Sequence, residues 1–181
     1  MATPVPQPIA VSPPTLWAPL SMALLVGVLP LAMIGHTLLQ DPSHWETTRW
    51  GLAFPVGFVV ALLIGLLLLM RRRAVEWRDG TLCIRAALYT KRIATAELDL
   101  QRARVVNLDE RTELRPGWKT NGYATFGFTA GHFRMRKGLG NAFCLLTQRQ
   151  RVLWLPSRDG KQHILLSLER PQALLDALRS A

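Results

Sequence analysis

Charge is missing from two long stretches of this 181-residue chain, Leu16–Leu39 and Trp50–Met70. At ~1.5 Å per residue, a helix of either length spans the ~30 Å hydrocarbon layer of a bilayer. Residues 1–70 hold only Asp41, Glu46 and Arg49 as charged groups. Cysteine is scarce too. Cys83 and Cys144 match no metal or redox spacing and read as buried, inert thiols, which removes cysteine-based zinc and C-x-x-C chemistry. The sequence has no G-x-S-x-G, no H-E-x-x-H and no G-x-x-x-x-G-K-[ST]. His132 and His163 stand near no cysteine or carboxylate pair, and Asp109, Glu110 and Glu113 alternate with Arg111 and Arg115 as a solvated loop would. No catalytic set follows, so neither enzymatic activity nor a metal or cofactor is expected.

What is present is positive charge, placed late. Residues 71–181 carry 21 of the 22 Lys and Arg and 10 of the 12 Asp and Glu, a surplus of eleven positive charges. Arg71-Arg72-Arg73 abuts the second apolar stretch, whereas the preceding connection, QDPSHWETTR, is slightly acidic. The positive-inside rule then places the triplet and everything after it in the cytoplasm. The expected organisation is a Pro-rich, disordered or extended N-terminus over 1–15 and a transmembrane hairpin over 16–70. Its helices are 16–39 and 50–70 with an external loop 40–49, followed by a cytoplasmic domain over 71–181. Both termini are then cytoplasmic. The first fifteen residues hold no Lys or Arg and no A-x-A site precedes the loop, so the first span reads as a retained anchor rather than a cleaved signal. Pro30 should kink that span. Trp17, Trp45, Trp50 and Trp77 fall near the expected interfaces.

Small residues recur at spacings of four: Ala53, Gly57, Ala61 and Gly65 in the second span, with Ala23, Gly27 and Gly35 similarly placed in the first. Such stripes let helices approach closely, so the two spans are expected to pack through them, with dimerisation as the alternative. His36 is the titratable group within the first span and reads as interfacial, because neither span offers it an acidic partner.

The tail alternates as short strands broken by turns. Asp79-Gly80 signals a hairpin between Val75–Trp77 and Thr81–Ala87. Lys91–Thr95, Gln101–Leu108, Phe133–Met135, Ala142–Thr147, Arg151–Leu155 and His163–Leu168 read as further strands. A proline-started amphipathic helix over about Pro171–Arg179 would turn Leu174, Leu175 and Leu178 inward. Seven or so antiparallel strands closed by one helix predict an α+β domain, a small barrel or sandwich capped at its C-terminus. The Gly-rich stretch Leu114–Ala130, with Trp118, Tyr123, Phe126 and Phe128, reads either as a loop that dips into the membrane interface or contacts a partner, or as a strand with core aromatics.

The stretches VEWRDGTLCIRAALYTKRI and GHFRMRKGLGNAFCLLTQRQRVLWLPSRDGKQHILLSLERP resemble bacterial pleckstrin-homology-like domains that follow membrane spans. The pattern is a G-x-F strand, a turn, apolar-P-[ST] before a D-G turn, then L-S and a proline-started helix. It covers most of residues 74–181. The resemblance implies a PH-like module at the inner face of a bacterial cytoplasmic membrane. Two departures are Arg170, where an acidic residue often caps the last helix, and the insert-like Leu114–Ala130 segment.

The expected function is a non-enzymatic, membrane-anchored interaction or scaffold module that docks a protein partner or forms a homo-oligomer. The alternative is an anionic-lipid sensor with a basic face of Arg71, Arg72, Arg73, Lys91, Arg92, Arg134, Arg136, Lys137, Arg149 and Arg151. A third class is an accessory subunit of a membrane enzyme or transporter. The bilayer itself is an expected partner, whereas nucleic acid is not, because the charge follows directly on an apolar segment.

Overall fold

A computed structural model describes residues 7–40, 44–136 and 140–180. The chain divides into two units, residues 16–71 and a β-rich unit of residues 1–15 with 72–181.

The first unit contains two helical runs long and apolar enough to cross a membrane, Trp17–Thr37 and Ala53–Arg71. The first run comprises α1 (Trp17–Met22), a π-helical segment (Ala23–Val28) and α2 (Leu29–Gln40). Next to Pro30, where a kink is the expectation, the run holds a π-helical segment just before the proline, whose missing N–H and ring disturb the α ladder. The second run, α3 (His44–Arg71), starts earlier than the expected residue 50. Helix does not require apolarity, so its polar first turns extend beyond the apolar stretch and shorten the expected 40–49 loop. Residues 41–43 and the side chains of Trp45 and Trp50 lie outside the described residues.

The small-residue stripe does not face the first helix. Ala53, Gly57, Ala61 and Gly65 are all exposed, and a Cβ at Gly57 or Gly65 would meet nothing within 4 Å. The half-buried side of α3 is instead Val56, Val59, Leu63 and Leu66, the 3–4 spacing of a helix seam. Close approach comes from the first run, where a Cβ at Gly27 would stand 3.0 Å from Leu63 Cδ2.

The β-rich unit holds two sheets and a terminal helix. The first sheet runs β1-β2-β3-β4, with β1 (Gln7–Ile9), β2 (Arg73–Arg78), β3 (Thr81–Ala86) and β4 (Tyr89–Ala94). The β2–β3 turn bears out the hairpin signal: Asp79 (φ 50) and Gly80 (φ 69) are both left-handed, as a type I′ turn requires. Trp77 belongs to β2 and its indole N–H donates to Thr95 Oγ1 at 3.3 Å. The Pro-rich N-terminal stretch contributes a strand, in keeping with the extended form of the expectation. β1 pairs antiparallel with β2, Val11 bridges Leu168, and the Ser12 N–H donates to Ser167 O at 3.1 Å.

The second sheet has the order β5-β9-β10-β8-β7-β6. Its strands are β5 (Arg104–Val106), β6 (Pro116–Thr125), β7 (Phe128–Met135), β8 (Asn141–Leu146), β9 (Val152–Pro156) and β10 (Gln162–Ser167). One pairing departs from the antiparallel expectation: β8 and β10 are parallel, with β9 following β8 and pairing only on the far side of β10. The Leu114–Ala130 segment is largely strand β6 and the start of β7, so its Gly-rich sequence is sheet rather than an inserted loop. The reason is close packing. A Cβ at Gly122 would meet the Phe133 ring at 2.8 Å, and one at Gly131 (φ 109), opposite it on β7, would meet the Tyr89 ring at 2.9 Å. Helix α4 (Pro171–Ser180) buries Pro171, Leu174, Leu175 and Leu178.

Candidate functional site

After β5 the chain does not continue in the sheet. Residues 107–115, with a 3-10 turn at Thr112–Leu114, contribute Leu108 and Leu114 to a cluster with Phe133, Met135, Cys144, Leu146, Trp154 and Leu165. Burial pushes the Cys144 thiol upward, consistent with an inert core sulfur, whereas Cys83 is half-buried on β3. Arg115 fastens this cover. Its Nε donates to Leu108 O at 2.6 Å, and Nη2 donates to Asp109 Oδ1 at 2.9 Å. The Leu108 N–H donates to Arg149 O at 2.7 Å, and the Arg136 N–H to Arg115 O at 3.4 Å.

These ties surround a cleft of about 290 Å³. Arg115, Arg136, Arg149 and Gln148 line it with Phe128, Phe133, Leu108 and Leu146, and Thr125 and Thr147 complete its polar wall. Asp109 partly offsets the positive charge, pairing tightly with Arg115 and reaching Arg149 only at 3.9 Å. Arg136 has no ion-pair partner among the described residues. The hydroxyls of Thr125 and Thr147 are shielded from solvent and have no hydrogen-bond partner.

The structure scatters the expected basic face. Arg71 ends α3, Arg72 follows it, and Arg73 opens β2. Lys91 and Arg92 are neighbours on β4 and so project to opposite sides of the strand. Lys91 reaches across to β10, its Nζ donating to Gln162 Oε1 at 3.0 Å. Arg134 pairs with Asn141 at the start of β8, whereas Arg149 and Arg151 follow the end of that strand. Lys137 lies outside the described residues. Of the ten, Arg136 and Arg149 share the cleft. Arg115, the third arginine there, was read as part of a neutralised loop, and nothing local in sequence marks its convergence with Arg136. As expected, Phe133 and Met135 are buried while Arg134 and Arg136 are exposed.

Known proteins add nothing to this. The chain matches no family model, no curated protein and no solved structure.

A second surface stands out. β6 is an edge of the six-stranded sheet, its outer side unpaired among the described residues. On this hairpin Phe128 is buried and Tyr123 half-buried, but Trp118 is 84% exposed and Phe126, at the turn, 76%. The two readings of the aromatic segment therefore divide it: Phe128 serves the core, and Trp118 and Phe126 face outward.

Proposed function

We propose that the protein is a non-enzymatic, membrane-anchored interaction module. A PH-like β-domain, held at the inner face of a bacterial cytoplasmic membrane, docks an extended segment of a protein partner along β6. The observation that carries this reading is the open edge of β6 with Trp118 exposed beside it. A free edge supplies main-chain donors and acceptors, and an exposed indole adds apolar contact area. The two-sheet domain with its C-terminal helix suits the PH-like comparison, while the parallel β8–β10 pair departs from a simple antiparallel meander. The two-span topology is supported by the N-terminal strand. β1 and β2 pair directly, so the segments before the first span and after the second share one side of the bilayer.

A photo-reactive phenylalanine analogue at Trp118, in the full-length protein in native membranes, tests the docking surface. A discrete adduct is expected, at twice the chain mass for a second copy or at another mass for a different protein. No adduct beyond that of a control probe at Arg170 would sink the proposal.

The lipid-sensor reading retains one supporting observation: exposed Arg92, Arg134, Arg136 and Arg151 have no ion-pair partners among the described residues. Amide exchange of β4 and β7 in neutral and anionic nanodiscs separates it from docking. Protection that appears only in anionic discs and fades with salt supports the sensor, and identical exchange in both rules it out.

A further inference from the structure

We propose that the cleft beneath residues 107–117 binds a small amphiphilic anion, a phosphate monoester carried on an apolar body. The cleft takes Pro116, Gly117, Ala124 and Thr125 from β6, but the proposal does not rest on what docks along that strand.

Three observations converge on this chemistry. Arg136 and Arg149 keep guanidinium donors in hand, because Asp109 is engaged by Arg115 at 2.9 Å and stands 3.9 Å from Arg149. Thr125 and Thr147 add two hydroxyls, shielded from solvent, that no protein group satisfies. Buried polar groups are ordinarily hydrogen-bonded, so two orphaned hydroxyls on residues lining one cleft are the kind of group a bound molecule would satisfy. Phe128, Phe133, Leu108 and Leu146 supply an apolar wall. Guanidinium groups and hydroxyls together offer more donors than the two oxygens of a carboxylate use. A phosphate with three terminal oxygens is the better match, and charge-assisted bonds to it are the strong ones. At about 290 Å³ the cleft holds one small molecule and no polymer.

The phosphate can arrive on a soluble compound or on a lipid headgroup, and one titration with two arms distinguishes these. Full-length protein in neutral phosphatidylcholine nanodiscs is titrated calorimetrically with phenyl phosphate, with phenol and benzoate as neutral and carboxylate counterparts. Saturable binding of phenyl phosphate well above both is expected. Arg136→Gln, an exposed position, should weaken it about tenfold or more. Thr147→Val should weaken binding while raising the melting temperature of the free protein, since it removes an unsatisfied hydroxyl and keeps the shape. A purely structural threonine would not show that opposition. Lys161→Gln, outside the cleft, should bind as the parent does. Repeating the titration with phosphatidic acid in the discs assigns the source: a loss of phenyl phosphate affinity points to the lipid, and an unchanged affinity to a soluble ligand. Absence of saturable binding at millimolar concentration, equal binding of benzoate, or parental affinity in both Arg136→Gln and Thr147→Val would overturn the proposal.

Discussion

The helical hairpin and the β-domain draw on the same aliphatic and aromatic residues and place them in opposite directions. In the hairpin Phe54 is 79% and Phe58 60% exposed, and Leu20, Leu24, Leu25 and Met33 also face outward. In the domain Leu153, Leu155, Leu165 and Leu166 have no exposed surface at all. The hydrophobic effect therefore organises the domain from within, whereas the hairpin leaves its apolar side chains on the outside, as helices long and apolar enough to cross a membrane do. Cohesion within the hairpin falls to close packing at a few positions, of which Gly27 against Leu63 is the tightest at a glycine.

The contrast breaks most visibly in the core. Leu165 is fully buried between Cys144 on β8 and Trp154 on β9. Leu165→Ala should cost the domain about 2–5 kcal/mol, through lost burial and the cavity left behind. Leu24→Ala, on the outward side of the hairpin, should leave domain stability unchanged. Thermal unfolding of the full-length protein, followed by near-UV circular dichroism in detergent, compares the two. Equal losses would mean that the units do not keep separate cores.

Within the hairpin, the comparison sharpens between two glycines. A Cβ at Gly27 would already crowd Leu63, so Gly27→Val overpacks the helix contact and should cost about 1–3 kcal/mol. Gly57→Val meets nothing within 4 Å and should be tolerated. Unfolding in mixed detergent–SDS micelles measures both. A larger loss at Gly57 than at Gly27 would restore the Ala53–Gly65 stripe as a packing face.

Which parts of this could be read from sequence follows from how local each signal is. Apolar length marked both helices, Asp-Gly marked the β2–β3 turn, and helical spacing marked the inward leucines of α4. Each of these is decided within a few residues. The strand β1 was not legible, because QPI gains its partner only through pairing with residues 75–77. The parallel β8–β10 pair depends on strand order, which alternation does not encode. β6 was obscured by its glycines, whose reason lies in close approach of the neighbouring strand β7: a Cβ at Gly122 would meet the Phe133 ring at 2.8 Å. The small-residue stripe showed that close approach was feasible but not which side of α3 turns inward. For the site the gap was wider. Arg136 and Arg149 were marked as basic surface, but their convergence with Arg115 depends on the fold-back of residues 107–115.

A smaller gain is available at the turn joining β3 and β4. Ala87 adopts φ 54 while buried, and its N–H donates to Arg72 O at 2.9 Å. Left-handed backbone strains any residue with a Cβ, so Ala87→Gly should stabilise the domain by about 1 kcal/mol, less whatever flexibility glycine adds to the unfolded chain. A drop in the unfolding midpoint would show that the Ala87 methyl contributes more packing than its conformation costs.

The smallest effect separates the domain by its response to acid. The ring of His132 on β7 meets Tyr89 and Phe143 edge-on at centroid distances of 6.0 and 4.9 Å. Burial, and then the positive charge of Lys91 on β4, hold its pKa below the ordinary value of 6.5. The unfolded chain therefore binds the proton more readily than the native one. The stability this histidine permits is intact above about pH 6.5 and is lost as pH falls from there through the depressed native value. The unfolding midpoint of the parent should decline across that window, and His132→Phe should flatten the decline. Lys91→Gln should flatten it only in part, since burial is the larger cause. An undiminished slope in His132→Phe would assign the acid sensitivity elsewhere in the domain.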